Sequence, residues 1–209
     1  METTSSQSVR SDFPSKKELR CLIRNSLVAM KANERASMSH TICCQVADLV
    51  KKNGFQSIAV FAAGPREVDL LPLLDMLPQC NWYFPLVHEE RKLSFHRVSH
   101  PSELVAGYRN IREPGNDCPE LDVMSMDLMI LPGAAFSRDG KRLGYGGGFY
   151  DVLLSGPASK LPLIGVCFPC QLLENIPMEA HDRYVDGVIT PEGVWGRIFI
   201  TTDPIKEFF

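Results

Sequence analysis

Asp127-Leu128-Met129-Ile130-Leu131-Pro132-Gly133-Ala134-Ala135-Phe136-Ser137-Arg138-Asp139-Gly140-Lys141-Arg142-Leu143-Gly144-Tyr145-Gly146-Gly147-Gly148-Phe149-Tyr150-Asp151 starts as an apolar run and passes at once into glycines. The run, with turn chemistry behind it, reads as a buried strand. Five glycines in the nine positions from Gly140 to Gly148 let the backbone bend and present its N–H groups. Arg138, Lys141 and Arg142 stand beside them, a composition suited to a nest for phosphate oxygens. Glycines alone would fit an ordinary surface turn. Clustered cations, aromatic side chains and the closing carboxylate of Asp151 point instead to a nucleotide or phosphate site.

The flanking sequence alternates helical and strand patterns. Ser15 with Glu18 forms a capping box, and Leu19, Leu22, Ile23, Leu27 and Met30 recur at helical spacing, which predicts a helix over about 15–33. Lys16, Arg20 and Arg24 fall four apart on it, a cationic stripe that by itself reads as a solvated face. A second helix is expected over about 39–52, with Ile42, Val46, Leu49 and Val50 inward and a stop at Asn53-Gly54. Ile58 to Phe61 reads as a buried strand and Val68 to Leu77 as a helix despite Pro72. Trp82 to Val87 is a further strand, which Pro85 pushes towards an edge or a bulge. Leu93 to Val98 alternates as a strand does, with His96 on one face. His100 to Met126, with five prolines and glycines, reads mostly as loop. After the glycines come a helix from near Gly147 to Leu154, a strand from Leu163 to Phe168, a short helix from Gln171 to Asn175 and a last inner strand, Gly187 to Thr190.

Several of these strands are continuous apolar runs of the kind buried on both faces. The expected fold is therefore α/β: a single three-layer domain spanning 1–209, with a parallel or mixed sheet flanked by helices. Residues 1–13, rich in Ser and Thr, are expected to be flexible and lack the apolar stretch of a secretory signal. In such sheets ligands bind beyond the carboxyl ends of the strands. The loop after Phe61, the Gly-rich loop after Leu131 and the Phe168–Gln171 turn should meet there. Asp122 and Asp127 precede the central strand at the opposite end and read as structural.

The totals narrow the function. With 209 residues, 44% hydrophobic and 22% charged, the chain can bury a core without staples. A formal net charge of -3 leaves no basic excess for nucleic acid. No apolar run approaches the roughly 20 residues that span a bilayer. Seven cysteines, an odd number in apolar context, fit the reduced thiols of a cytoplasmic protein. Cys167-Phe168-Pro169-Cys170 has neither the second pair a zinc site wants nor the helix N-terminal place of a redox pair. His40, His88, His96 and His100 show no metal-ligand spacing.

Neither common nucleotide signature fits. In a P-loop the Gly-Lys pair is followed by Ser or Thr, whereas Gly140-Lys141 is followed by Arg142; the dinucleotide pattern fails at Phe149. Instead, Pro132-Gly133-x-Ala135-Phe136 followed by Gly140-x-Arg142-Leu143-Gly144-Tyr145-Gly146-x-Gly148-Phe149-Tyr150-Asp151 closely resembles the signature of the 5-formyltetrahydrofolate cyclo-ligase family. The resemblance covers nearly the whole chain. Lys16 and Arg20, Glu67-Val68-Asp69, Ile111-Arg112-Glu113-Pro114, Gln171 and His181-Asp182 match the family's shorter motifs in order.

The resemblance implies ATP- and magnesium-dependent closure of 5-formyltetrahydrofolate to 5,10-methenyltetrahydrofolate, with ADP and phosphate released and no covalent enzyme nucleophile. Positioning and charge stabilisation would carry such chemistry. By the same resemblance Lys16, Arg20 and Arg142 are the catalytic, phosphate-binding cations. The ATP site would comprise them with Leu143, Gly144, Tyr145, Gly146, Gly147, Gly148, Phe149 and Tyr150. Folate contacts fall on Ala62, Glu67, Tyr145, Gly146, Gly147, Gly148 and Phe149, and magnesium carboxylates on Asp151 and Asp182. Tyr150 packs either on the pterin or as a helix anchor. His181 either serves acid–base chemistry or orients a loop. The implied partners are small molecules, 5-formyltetrahydrofolate and ATP, with no nucleic acid or membrane, and the chain is expected to be a monomer.

Some positions depart from the family pattern. Tyr145 stands where some relatives have Arg, Gly147 where they have Lys, Phe149 where Tyr is common, Ser137 where Asp is frequent and Val152 where Arg is. A folate- or nucleotide-binding relative without turnover is the alternative reading, and a sugar-phosphate isomerase or acyl-CoA transferase on a similar scaffold a third. The retained carboxylates favour turnover.

Overall fold

The computed structural model of the protein describes residues 13–179 and 182–196. Of the expected flexible start, only Phe13 falls within them. The helices are α1 (Lys16–Ala29), α2 (Ala32–Asn53), α3 (Pro72–Met76) and α4 (Phe149–Leu154). The strands are β1 (Ser57–Ala59), β2 (Asn81–Val87), β3 (Leu93–Arg97), β4 (Leu104–Ala106), β5 (Arg112–Pro114), β6 (Glu120–Leu121) and β7 (Leu128–Leu131). They continue with β8 (Ala135–Ser137), β9 (Arg142–Leu143), β10 (Leu163–Val166), β11 (Leu172–Leu173), β12 (Gly187–Thr190) and β13 (Gly193–Gly196).

Eight strands form one sheet in the order β13-β12-β10-β7-β1-β2-β3-β6. The inner five run parallel, and β13, β3 and β6 are added antiparallel, so the sheet is mixed. Alternation along the strands sends neighbouring residues to opposite faces. Ile58, Val60, Leu128, Ile130, Ile164 and Val166 join Leu19, Ile23, Leu27, Ile42 and Val46 of α1 and α2 in one core. Ala59, Met129, Leu131, Leu163 and Val188 join Leu154, Ala158 and Leu161 in another. Two helical layers thus cover both faces, which is why the central strands carry apolar residues throughout. The fold is α/β, a mixed sheet flanked by helices.

The topology also fixes where a ligand fits. From β1 the chain moves to β2 on one side of the sheet, then returns to β7 on the other. The loops leaving β1 and β7 diverge, opening a crevice at the carboxyl ends of the strands.

Several expected boundaries moved. The first helix ends at Ala29, and Met30 is extended (φ -72°, ψ 131°). The second starts at Ala32 rather than near 39, because Glu34 reaches back to accept from the Lys31 N–H at 3.2 Å. Pro72 begins α3 instead of interrupting it, since a first-turn N–H is not needed. The strand holding Pro85 is internal, not an edge. Its pairing with β1 ends at Tyr83, so the side of Pro85 that lacks an N–H faces no ladder. The expected helix at Gln171–Asn175 is instead a 3-10 turn (Pro169–Gln171) leading into β11, which pairs with β8. Within the segment read as loop, β4 and β5 form an antiparallel hairpin, and β6 joins the sheet. Asp127 is structural as expected: its Oδ2 accepts from the N–H of Gln56 at 2.8 Å and of Ser57 at 2.9 Å.

Candidate active site

A cavity of about 200 Å³ opens at the crevice. Phe61 and Ala62 beyond β1 and Pro132 beyond β7 reach it, as do Pro85 and Val87 of β2. Apolar side chains (Phe61, Pro85, Val87, Leu93, Ile111) line one part, and Gly144 through Gly148, with Arg142 and Asp151, line another. Of the three loops expected to meet there, the Phe168–Gln171 turn serves as a buttress. Gln171 Nε2 donates to the carbonyls of Gly133 at 2.9 Å and Ala134 at 3.2 Å, and its Oε1 accepts from Phe168 N at 3.0 Å.

The Gly-rich segment divides into two parts with different work. Its first half is a hairpin, β8 to β9, whose turn carries Gly140 at φ 90°. A β-carbon there would lie 2.3 Å from the Val185 carbonyl oxygen, so this glycine serves packing, not phosphate. Its second half, Gly144 to Gly148, is the part that lines the cavity. Gly148 (φ 76°) caps α4, and a β-carbon on it would meet Arg91 Nη1 at 3.1 Å.

The three cations of the segment also separate. Arg138 lies over the Trp195 ring at 4.3 Å, and Lys141 contacts Asn175 Oδ1 at 2.8 Å and Asp139 at 3.3 Å. Only Arg142 of the three lines the cavity. Its side chain is 6% exposed, with Nε donating to Pro132 O at 2.9 Å and Nη1 to Asp151 Oδ1 at 3.2 Å. Its guanidinium carbon is 5.3 Å from the Tyr150 ring centroid. Burial works against the guanidinium charge, and the Asp151 carboxylate offsets it. Burial likewise pushes the Tyr150 hydroxyl above its ordinary range, with Arg142 opposing.

Lys16 and Arg20 of α1 are half-buried, whereas Arg24 is exposed. Neither Lys16 nor Arg20 lines the cavity. Arg20 Nε donates to Gly144 O at 2.7 Å, tying α1 to the glycine loop. Lys16 Nζ donates to Asp182 Oδ2 at 2.6 Å and stands 3.3 Å from Glu179 Oε2. Leu143 is in the core and does not line the cavity, while Tyr145, Phe149 and Tyr150 do. His181 lies outside the described residues.

Both expected magnesium carboxylates therefore pair with a cation expected to bind phosphate. Among the described residues no group of three or more His, Cys, Asp or Glu could hold a metal ion. The hard oxygens of Asp151 and Asp182 nevertheless suit magnesium, which takes few protein ligands and keeps phosphate oxygens and water for the rest.

Glu67 enters the cavity wall with Oε2 accepting from Gly64 N at 2.7 Å. Burial raises its carboxyl above the usual range, against the hydrogen bonds from Gly64 and Tyr145. The Tyr145 hydroxyl is raised in turn, first by burial and then by the Glu67 charge. The β4–β5 hairpin supplies residues to which the sequence assigned no role. Tyr108 meets Phe149 edge-on (ring centroids 5.7 Å, 65°), and Arg109, Ile111, Arg112 and Glu113 line the cavity. Their only signal was the Ile-x-Glu-Pro motif. The cysteines are all free thiols, and burial raises Cys167 and Cys170, so the Cys-x-x-Cys pair holds no activated thiolate.

Comparison with known proteins gives the family. The model of the 5-formyltetrahydrofolate cyclo-ligase family matches residues 12–191. The chain is 36% identical over 145 residues to the 5-formyltetrahydrofolate cyclo-ligase of Escherichia coli K12, covering 66% of this chain and 80% of the relative. It is 30% identical over 226 residues to the mitochondrial 5-formyltetrahydrofolate cyclo-ligase of Arabidopsis thaliana, covering 93% and 81%. The NMR structure of Aquifex aeolicus 5,10-methenyltetrahydrofolate synthetase superposes with a TM-score of 0.77 at 28% identity, over 93% of this chain and 96% of the other. The chain belongs to the 5-formyltetrahydrofolate cyclo-ligase family.

Proposed function

We propose that this protein is an ATP- and magnesium-dependent 5-formyltetrahydrofolate cyclo-ligase. The observation carrying this reading is one cavity that joins an apolar wall, suited to a flat reduced pterin, to a glycine loop with a buried arginine, suited to phosphate. A formamide is a weak electrophile and its oxygen a poor leaving group. Transfer of the ATP γ-phosphoryl group to the formyl oxygen answers both difficulties and releases ADP. The N10 amine then attacks the activated carbon, loses its proton, and the C–O bond breaks to release phosphate. The product holds the carbon between N5 and N10 as the methenyl bridge.

Each side chain has a part in this scheme. Arg142, oriented through Nε by the Pro132 carbonyl, turns its remaining donors to the triphosphate. Arg20 holds the glycine loop through Gly144, and Lys16 adds positive charge from the same helix face. Bound magnesium would neutralise phosphate charge, held by Asp151 and Asp182. Asp151 and Asp182, now paired with Arg142 and Lys16, would hold the ion, and the two cations would then be free to face phosphate. Ala62, Glu67, Tyr145 and Phe149 contact folate, and the apolar wall keeps water from the activated formyl carbon.

We place the protein in the cytoplasm as a monomer, built as a single domain over 1–209 and without nucleic-acid or membrane partners. Seven free thiols agree with a reducing compartment, and no helix among the described residues is long and apolar enough to cross a membrane. The test is absorbance of the methenyl product from 5-formyltetrahydrofolate with and without ATP and magnesium. ATP-dependent product supports the reading. Folate binding without ATP-dependent product favours the non-catalytic alternative.

A further inference from the structure

Glu113 lies on β5 opposite Val105 of β4, and only 8% of it is exposed. It lines the same cavity, yet its Oε1 is buried without a hydrogen-bond partner. A buried carboxyl oxygen left unpaired opposes folding unless a water or ligand donates to it, and this one lines a cavity where a ligand can. The hairpin also makes room for it. A β-carbon on Gly107 would lie 2.3 Å from Glu113 Oε2 and 2.4 Å from Cδ. Gly107 N donates to Ile111 O at 2.9 Å, which holds this glycine against the carboxyl.

Pro85, Val87, Leu93 and Ile111 make the wall near Glu113 largely apolar, and Arg109 and Arg112 of the same hairpin also face the cavity without a hydrogen bond to the buried Oε1. An acceptor in such a wall selects a flat, largely apolar ligand with N–H donors on one edge. Building on the proposed folate chemistry, we infer that Glu113 reads the donor edge of the pterin ring, its ring N–H and adjacent exocyclic amino group. Those two donors point the same way and match the two oxygens of a carboxyl group, a paired arrangement of charge-assisted bonds. Adenine does not match it, because its amino group sits beside a ring acceptor that would face the second oxygen. Glu113 thus sorts the cavity's two ligands, keeping the pterin on the hairpin side and leaving the glycine loop to phosphate. It acts on substrate orientation: a pterin held by this edge presents its N5 substituent at one fixed place.

The test is calorimetric binding of 5-formyltetrahydrofolate, and of the analogue with hydrogen in place of the 2-amino group, to the full chain. The wild type should prefer the parent by about tenfold to a hundredfold. Glu113→Gln, which turns a donor towards the ligand's donors, should lose that preference while its KM for ATP stays near the wild-type value. Gly107→Ala, which pushes the unchanged carboxyl aside, should lose it too and decides the matter if Glu113→Gln does not fold. A wild type that binds both folates equally overturns the inference and leaves the cyclo-ligase reading standing. The full preference retained in either folded variant also overturns it. Binding of neither compound by the wild type removes both.

Discussion

Replacing Arg142 by lysine separates charge from geometry at the phosphate end of the cavity. The guanidinium makes two bonds that one ammonium cannot reproduce together: Nε to Pro132 O at 2.9 Å and Nη1 to Asp151 at 3.2 Å. The first is buried, and leaving that carbonyl without its donor costs about 1–3 kcal/mol. The second involves a carboxylate whose side chain is 40% exposed, so its loss is worth about 0–1 kcal/mol. Lysine keeps the ion pair with Asp151 and leaves the Pro132 carbonyl without its donor, so the net destabilisation should be about 1–3 kcal/mol, a fall in Tm of roughly 2–12 °C for a chain of this size. The effect on turnover should be larger. Loss of the oriented donor pair should lower ATP-dependent kcat/KM by about a hundredfold, with folate affinity nearly unchanged. Circular-dichroism melts and the methenyl absorbance assay give both numbers on one preparation. Full turnover in a folded Arg142→Lys variant would refute the phosphate role, and an unchanged Tm would contradict the bond pattern itself.

Two further outcomes follow from charges elsewhere. Glu67 titrates above its ordinary value of 4.5 because it is buried, so its contribution to stability is greatest while protonated and is lost as pH rises through the raised value. Glu67→Gln stays neutral, so its Tm relative to wild type should climb from about pH 4 towards neutrality; a constant difference across that range would show that burial does not perturb this group. Asp127→Ala removes the acceptor of two backbone N–H groups at the end of the sheet away from the cavity. It should cost about 1–2 kcal/mol in urea unfolding and leave turnover per folded molecule intact, whereas a lost activity would mean that this end of the sheet is coupled to the site.

What could be read without coordinates follows the range of the interactions involved. Leu128–Leu131 is the central strand as expected, because four consecutive apolar residues ahead of a turn have few other destinations. The Ser15–Glu18 capping box forms with both of its bonds, and α2 ends at Gly54 in the left-handed conformation (φ 69°). Such local signals survive folding unchanged. The Met30–Lys31 break has no local sign in the sequence, since it contains neither Gly nor Pro and depends on Glu34 folding back. The β4–β5 hairpin is hidden because the five prolines and glycines of the 100–126 segment mark turns and say nothing of strands paired through tertiary contact. Residue type also named three cations in the glycine segment without giving their directions. Trp195 and Asn175, distant in sequence, draw Arg138 and Lys141 away from the cavity. Glu113 was visible as part of a motif, but its buried, unpartnered oxygen is a property of the folded hairpin alone.

The chemistry rests on the formyl oxygen becoming the oxygen of the released phosphate. Turnover of 5-formyltetrahydrofolate carrying heavy oxygen in its formyl group, with the phosphate analysed by mass spectrometry, reports that transfer directly. Heavy oxygen recovered in phosphate, one atom per methenyl product, is the expected result. Phosphate free of the label, with the heavy oxygen released to water, would contradict phosphorylation of the formyl group at this site.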